Sequence, residues 1–272
     1  MRETTPKPVI FTDLDGTLLD EQYQWDAAVL ALEWLRRSHI PVVFCSSKTR
    51  AEQEFFRQAM NCFHPFIVEN GSAIFLPQGY FPFGVGGKIT DGYELVVLGK
   101  PATYVRHILA KIRQQTGWEL AGYADMSLAE VAQITGLPPK MAALAMQREY
   151  SETIVTRLLP EQVAHLELEL AAAGLQMVSG GRFYTVTGTG ADKGRAVQFL
   201  AGLYEQAYGR ILTIGIGDSP NDTPMLAAVE RPFLVQRPDY SWLNIPEIPV
   251  TKVKGVGPHG WQHIIQQLQK NT

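Results

Sequence analysis

Three apolar runs of strand length near the front of the chain are PVIFTD (8–13), PVVFCS (41–46) and FIVEN (66–70). They alternate with two stretches whose apolar residues recur at helical spacing, WDAAVLALEWLRRSH (25–39) and TRAEQEFFRQAMN (49–61). Parallel strands need a long crossover between them, so this order is met by a parallel sheet with helices on its faces. The alternation returns at the rear. There ADKGRAVQFLAGLYEQA (191–207), DTPMLAAVE (222–230) and GWQHIIQQLQ (260–269) read as helices, and RILTIGIGDS (210–219) and RPFLVQ (231–236) as strands. Front and rear are expected to build one α/β core, a Rossmann-like parallel sheet made from residues 1–83 and 191–272.

Residues 84–190 read differently. Strand-like YELVVLG, ETIVTRLL, LQMVSGG and RFYTVTG mix with helical ATYVRHILAKIRQQ and LPEQVAHLELELAAAG, an α+β pattern whose strands can pair antiparallel. They are expected to form an inserted domain, joined to the core through LPQGYFPFGVGGK and TGTGADKG.

The first strand runs straight into two carboxylates, Asp13 and Asp15. Ionised carboxylates at a strand end repel each other and lose hydration, so something positive must compensate. Taken alone, D-x-D-G also suits a simple turn. A second acidic loop, GDSPND (217–222), follows another strand and carries Asp218, Asn221 and Asp222. If both strands share one sheet, four carboxylates converge on its edge, where ligands of such sheets bind. Hard oxygen donors with room for water favour Mg²⁺.

Composition narrows the rest. With 24 basic against 27 acidic residues the net charge is −3, which offers no electrostatic footprint for nucleic acid or an acidic membrane surface. No window approaches the length of a membrane span or a signal peptide. Cys45 and Cys62 make no C-x-x-C motif or disulfide framework, which fits a reducing cytoplasm. The six histidines have no zinc-ligand spacing. G-x-G occurs in GIGDSP, but the first strand-to-helix turn carries D-x-D-G where the dinucleotide fingerprint needs G-x-G-x-x-G, which disfavours a dinucleotide enzyme. Oligomeric state leaves no mark on the sequence.

FTDLDGTLLD, Ser46 in FCSSKT, Lys193 in GADKGRA, and GDSPNDTPML resemble, in order, the four motifs of haloacid dehalogenase superfamily phosphatases. The resemblance implies that Asp13 is a nucleophile forming an aspartyl-phosphate and that Asp15 is the acid/base for leaving group and water. Ser46 then binds a phosphoryl oxygen, and Lys193, at a helix start, neutralises charge on nucleophile and phosphate. Mg²⁺ is held by Asp13, the Asp15 backbone carbonyl and Asp218, with Asp222 joining the shell or orienting water. The inserted domain resembles the superfamily's larger α/β caps, which cover the site and set specificity.

Within the superfamily, CSSKT, VENGSAIF, QREYSET, GGRFYTVTG and GVGPHGW are similar to segments of mannosyl-3-phosphoglycerate phosphatases. The implied substrate is a small phosphorylated glycoside carrying a carboxylate. Arg148 and Arg182 suit the carboxylate and Lys48 the phosphate, while Glu69, Asn70 and Glu149 suit sugar hydroxyls. Gly181 lets backbone approach the ligand. Thr153 departs from the proline expected in many relatives. Glucosyl-3-phosphoglycerate, sucrose-phosphate and broader sugar-phosphate phosphatases stay open as alternatives, as does a phosphomutase of the same architecture. A non-catalytic ligand-binding regulator is disfavoured by the intact set Asp13, Asp15, Lys193 and Asp218. The product, a glycosylglycerate, is the kind of small anion used as a compatible solute.

Overall fold

The computed structural model describes residues 6–179 and 182–270. The front of the chain forms β1 (Lys7–Thr12), α1 (Val29–Arg37), β2 (Val42–Cys45), α2 (Arg50–Ala59) and β3 (Phe66–Val68). Then come β4 (Ala73–Pro77), β5 (Lys88–Thr90), β6 (Tyr93–Val97), α3 (Ala102–Thr116), α4 (Leu128–Thr135), α5 (Pro139–Ala145), β7 (Ser151–Ile154), α6 (Pro160–Ala172), β8 (Leu175–Ser179) and β9 (Tyr184–Gly188). The rear forms α7 (Lys193–Tyr208), β10 (Ile211–Gly217), α8 (Thr223–Ala227), β11 (Arg231–Gln236), β12 (Thr251–Val256) and α9 (Pro258–Lys270).

Front and rear do build one sheet, ordered β12-β11-β10-β1-β2-β3-β4-β6-β5. β12 through β3 pair in parallel, and β4, β6 and β5 extend the edge antiparallel. From β1 the chain winds one way to β2 and β3, and later the other way from β10 to β11 and β12. The β1/β10 boundary is thus a switch point, where loops splay apart and leave a crevice beyond the strand ends. Period-two alternation sends Val9 and Phe11 to the face covered by Ala196, Leu200 and Tyr204 of α7. Ile10 goes to the opposite face, with Leu35 of α1 and Trp261 and Ile264 of α9. Trp261 Nε1 also donates to Thr12 Oγ1 at 3.0 Å, so the last helix braces the end of β1.

Two expectations need correction. The helix expected from Trp25 starts later: a 3-10 turn covers Asp26–Ala28 and the α-helix begins at Val29. YELVVLG is a strand, but it pairs with β4 in the large sheet and not with the strands that follow it. A second sheet, β7-β9-β8, is antiparallel and has its own core of Val105, Leu109, Ile154, Leu166, Leu170 and Val186. Among the described residues no helix is long and apolar enough to cross a membrane.

Beneath the large sheet, His64 Nδ1 lies 2.7 Å from Tyr80 Oη, which lies 2.9 Å from Tyr204 Oη. Burial, followed by the Arg57 charge, lowers the His64 pKa from 6.5 to about 4. Its folded value is therefore below its unfolded one, and neutral His64 favours the folded state fully above the unfolded pKa. That contribution is lost as pH falls toward about 4, and it amounts to roughly 3 kcal/mol. His64→Gln is expected to flatten this part of the pH–stability curve. Urea denaturation at pH 7 and 4.5 checks it: equal losses in parent and variant would contradict the assignment.

Candidate active site

Asp13 follows the last residue of β1 and is fixed by its own N–H, which donates to the Ile216 carbonyl of β10 at 3.0 Å. Extended structure stops there. The Leu14 carbonyl accepts the N–H groups of Thr17, Leu18 and Leu19, winding the chain into a tight turn. Gly16 sits in this turn at φ +73°, where a Cβ would come within 2.9 Å of Asp218 Oδ2, so only glycine lets the two acidic loops meet. Thr17 Oγ1 donates to Asp218 Oδ1 at 2.8 Å across the same junction.

Asp218 follows β10, and its loop is organised by Asp222. Asp222 Oδ2 accepts from the N–H groups of Asp218 and Ser219 and from Ser219 Oγ, at 3.0–3.1 Å. Lys193 enters from the first turn of α7, which Asp192 caps by accepting from Arg195 N–H. Its Nζ donates to Asp13 Oδ1 at 2.6 Å and to Asp222 Oδ1 at 2.7 Å, and it is fully buried. Asp13, Asp218 and Asp222 each offer an oxygen, all within 4.8 Å of one another.

The electrostatics follow from three buried carboxylates sharing one lysine. Burial raises the Asp13 pKa, with Lys193 opposing and Asp222, Asp15 and Asp218 adding to the rise. Burial, then the Asp222 charge, raises Asp218 to about 7. Burial alone would lower Lys193, but Asp13 and Asp222 outweigh it and hold the ammonium charged well above its usual range. One cation does not balance three carboxylates, and the donors are all oxygens. This set fits a hard divalent cation such as Mg²⁺.

Three of the four expected carboxylates converge, and the fourth does not. The turn at Leu14 directs the Asp15 side chain into a neighbouring cleft, where it accepts from Lys48 Nζ at 2.9 Å. The cleft, of about 340 Å³, is lined by Asp15, Tyr23, Lys48, Glu52, Arg148 and Arg182, together with Tyr123, Thr153 and Thr185 from the far side. Lys48 is held by Glu52, at 3.4 Å, and lies over the Tyr23 ring. Glu52 also accepts from Thr49 N–H and closes a capping box at the start of α2. Burial would lower the Lys48 pKa, but Asp15 and Glu52 raise it.

Ser46 follows β2, is fully buried, and its Oγ is 3.4 Å from the Lys48 N–H. Arg148 donates from Nη1 to Ser151 Oγ at 2.8 Å and to the Ser47 carbonyl at 3.4 Å. Arg182 donates to the Ile134 carbonyl at 2.9 Å. The three residues expected to meet sugar hydroxyls are bonded elsewhere. Glu69 is fully buried, and its carboxylate accepts from the N–H groups of Glu149 and Tyr150 and from Ser151 Oγ. Burial raises its pKa against the pull of Arg148. Asn70 accepts from Asn221 Nδ2 at 3.2 Å, and Glu149 pairs with Arg50 at 2.9 Å. Gly181 lies outside the described residues.

The turn 69–71 joins the whole site. Glu69 and Asn70 adopt φ of +49° and +60°, sparsely used by such residues. Gly71, at φ +90°, lies against Asp192, where a Cβ would be 2.1 Å from the carbonyl oxygen. Asn70 N–H donates to the Ser46 carbonyl at 3.1 Å. One strained turn thus touches Ser46, the acidic loop, the lysine helix and the segment carrying Arg148.

Arg50, Glu52, Tyr23 and Tyr123 also stand at or beside the cleft and are not among the residues expected from sequence. T-R-A-E at 49–52 is a capping-box signature that points to Glu52. The others carry no local signal.

Comparisons with known proteins agree with this geometry. The model of the haloacid dehalogenase-like hydrolases matches residues 10–80 and 148–244. The chain is 42% identical over 267 residues, covering 96% of itself and 97% of the relative, to the glucosyl-3-phosphoglycerate/mannosyl-3-phosphoglycerate phosphatase of Methanococcoides burtonii. It is 42% identical over 229 residues, 84% of itself and 90% of the relative, to the mannosyl-3-phosphoglycerate phosphatase of Pyrococcus horikoshii. A haloacid dehalogenase-like hydrolase from B. subtilis superposes with a TM-score of 0.68 at 17% identity, covering 96% of this chain and 99% of that one, a likeness of fold.

Proposed function

The chain belongs to the haloacid dehalogenase-like hydrolases and is a phosphoric monoester hydrolase, and from that premise we propose that it removes phosphate from a glycosyl-3-phosphoglycerate. We take mannosyl-3-phosphoglycerate as the principal substrate, with the glucosyl ester as the second reading because the names of two relatives carry both sugars. The observation that carries this reading is the meeting of Asp13, already paired with a buried cation, and a cleft that begins at Asp15 and holds Lys48 and Arg148.

In the proposed reaction an Asp13 carboxylate oxygen attacks phosphorus and the bond to the glyceryl oxygen breaks, giving an aspartyl-phosphate. Asp15 gives its proton to the departing oxygen and then takes one from the water that cleaves the acyl phosphate, returning Asp13 and inorganic phosphate. Lys193 neutralises charge gathered at the phosphoryl oxygens, helped by the positive end of α7, and Ser46 donates to one of them. Asp13, Asp218 and the Asp15 backbone carbonyl would hold Mg²⁺, which would supply Lewis acidity and charge neutralisation when bound. Asp222 is engaged by Lys193 and the Ser219 loop, so its proposed part is to hold both in place.

We assign residues 84–190 to a specificity cap, except that β5 and β6 belong to the large sheet. Lys48 and Arg148 take the glycerate and phosphate charges, whereas Arg182 lines the same cleft but is held by the Ile134 carbonyl. Both free cysteines are buried, in keeping with a cytoplasmic enzyme.

The test is phosphate release from mannosyl- and glucosyl-3-phosphoglycerate, 3-phosphoglycerate, sucrose 6-phosphate and hexose phosphates. A preference of at least about a hundredfold in kcat/KM for a glycosyl ester is expected, roughly 3 kcal/mol of transition-state discrimination. Chelation should abolish turnover, and Mg²⁺ should restore it and raise Tm. Uniform slow hydrolysis of every ester would leave the chemistry and remove the substrate assignment; full activity in chelator would remove the metal.

A further inference from the structure

We propose that Thr153 is a specificity-determining residue whose hydroxyl hydrogen-bonds a hydroxyl of the substrate's glycosyl ring. This rests on the glycosyl-3-phosphoglycerate reading. Thr153 is 4% exposed, and its Oγ1 is buried with no hydrogen-bond partner among the described residues. Such a hydroxyl is unfavourable unless something completes it. It lines the cleft, so a ligand there is what can complete it.

Strand geometry explains the direction. Alternation along β7 turns Glu152 to the back, where it accepts from the N–H groups of Tyr123 and Thr153 and pairs with Arg106. Thr153 therefore faces the cleft, directly opposite Thr185 of β9, which lines it too. Arg148 Nε is likewise buried and unpartnered among the described residues, although its Nη1 is bonded. Two polar groups of the cleft thus await the same ligand.

The cleft is also sorted by polarity. Asp15, Lys48 and Arg148 lie toward the large sheet's loops, the last through the Ser47 carbonyl. Thr153 and Thr185 stand on the second sheet with Tyr123, Leu137 and Phe183 nearby in the lining. A phosphate that reaches Asp13 places the glycerate among the cations and leaves the neutral ring against the threonines and aromatic residues. Hydroxyls for sugar oxygens and rings for sugar C–H faces are what that wall supplies. Arg182 alone brings charge there, and its Nη1 is held by the Ile134 carbonyl.

Thr153→Val keeps the shape and deletes the hydroxyl; Thr153→Ser restores it. The readouts are Tm and the ratio of kcat/KM for mannosyl-3-phosphoglycerate to that for 3-phosphoglycerate, which lacks the ring. The valine variant is expected to lower the ratio by roughly tenfold or more. Its Tm should equal or exceed the parent's, because a buried unpartnered hydroxyl is gone, and serine should recover most of the ratio. An unchanged ratio overturns the Thr153 assignment and leaves the substrate reading standing. A lower Tm with equal loss on both substrates overturns it as well, since that marks a purely structural threonine. A parent that itself fails to prefer glycosyl esters overturns the substrate reading, and this assignment with it.

Discussion

Asp13→Asn is expected to reduce phosphatase turnover by about 10⁴-fold or more while the protein still folds. The amide fills the same volume but cannot attack phosphorus, and no other carboxylate is placed to replace it. Asp15 is turned toward Lys48, Asp218 is bonded by Thr17, and Asp222 is saturated by Lys193 and the Ser219 loop. Folding survives because Lys193 keeps Asp222 as partner and because an amide in this dry position avoids the burial that raises the Asp13 pKa. The Mg²⁺-induced rise in Tm should shrink in the variant, since one anionic ligand of the proposed ion is gone. Steady-state turnover with and without Mg²⁺, beside a thermal melt, decides the matter. Turnover within tenfold of the parent would remove Asp13 from the role of nucleophile.

How far the site was legible depends on how local its causes are. Asp13 and Asp218 could be located because each follows an apolar run long enough to be a buried strand. That β1 and β10 are neighbours is left conditional by the sequence and comes from the structure, since alternation and crossover handedness do not fix strand order. Asp15 is legible as a neighbour of Asp13 but its direction is not, because the Leu14 carbonyl gathers three N–H groups, ends the strand and turns the side chain toward Lys48. Glu69 is legible at the end of the apolar run FIVEN, yet its partners lie at 149–151, far along the chain, and no periodicity links such positions. YELVVLG was legible as a strand but not its neighbour. Its partner, β4, exists because the turn at 69–71 sends the chain back along β3, a reversal made by three consecutive positive φ angles. The short helices α4 and α5 are not among the elements expected from sequence, although S-L-A-E at 127–130 carries a capping-box signature. The unpartnered hydroxyl of Thr153 has no counterpart in sequence, because it is a property of what surrounds it.

Lys193→Met should destabilise the protein more than Asp13→Asn, His64→Gln or Thr153→Val. It leaves Asp13 and Asp222, both buried, without the ammonium that lies 2.6 and 2.7 Å from them. Removing one partner from a buried ion pair costs about 3–5 kcal/mol, because the other charge stays out of water uncompensated. For a chain of this size that corresponds to a fall in Tm of roughly 10 °C. Two further responses separate lost charge from lost packing. Mg²⁺ should recover part of the Tm, since a divalent cation can neutralise the same carboxylates. Acidification should help as well. Asp13 already has a folded pKa above its unfolded value, and removing Lys193 takes away the group that lowers it. Such a group stabilises at low pH and loses that contribution as pH rises through the folded pKa. The gap between parent and variant should therefore narrow as pH falls from 7 toward 5. Turnover should drop by about 10³-fold even with saturating Mg²⁺, because charge gathering on the phosphoryl oxygens loses a preorganised cation. Melts across pH with and without Mg²⁺ provide the check. A variant equally destabilised at both pH values and indifferent to Mg²⁺ would assign Lys193 to packing, and one with parental Tm would show that the carboxylates do not depend on its charge.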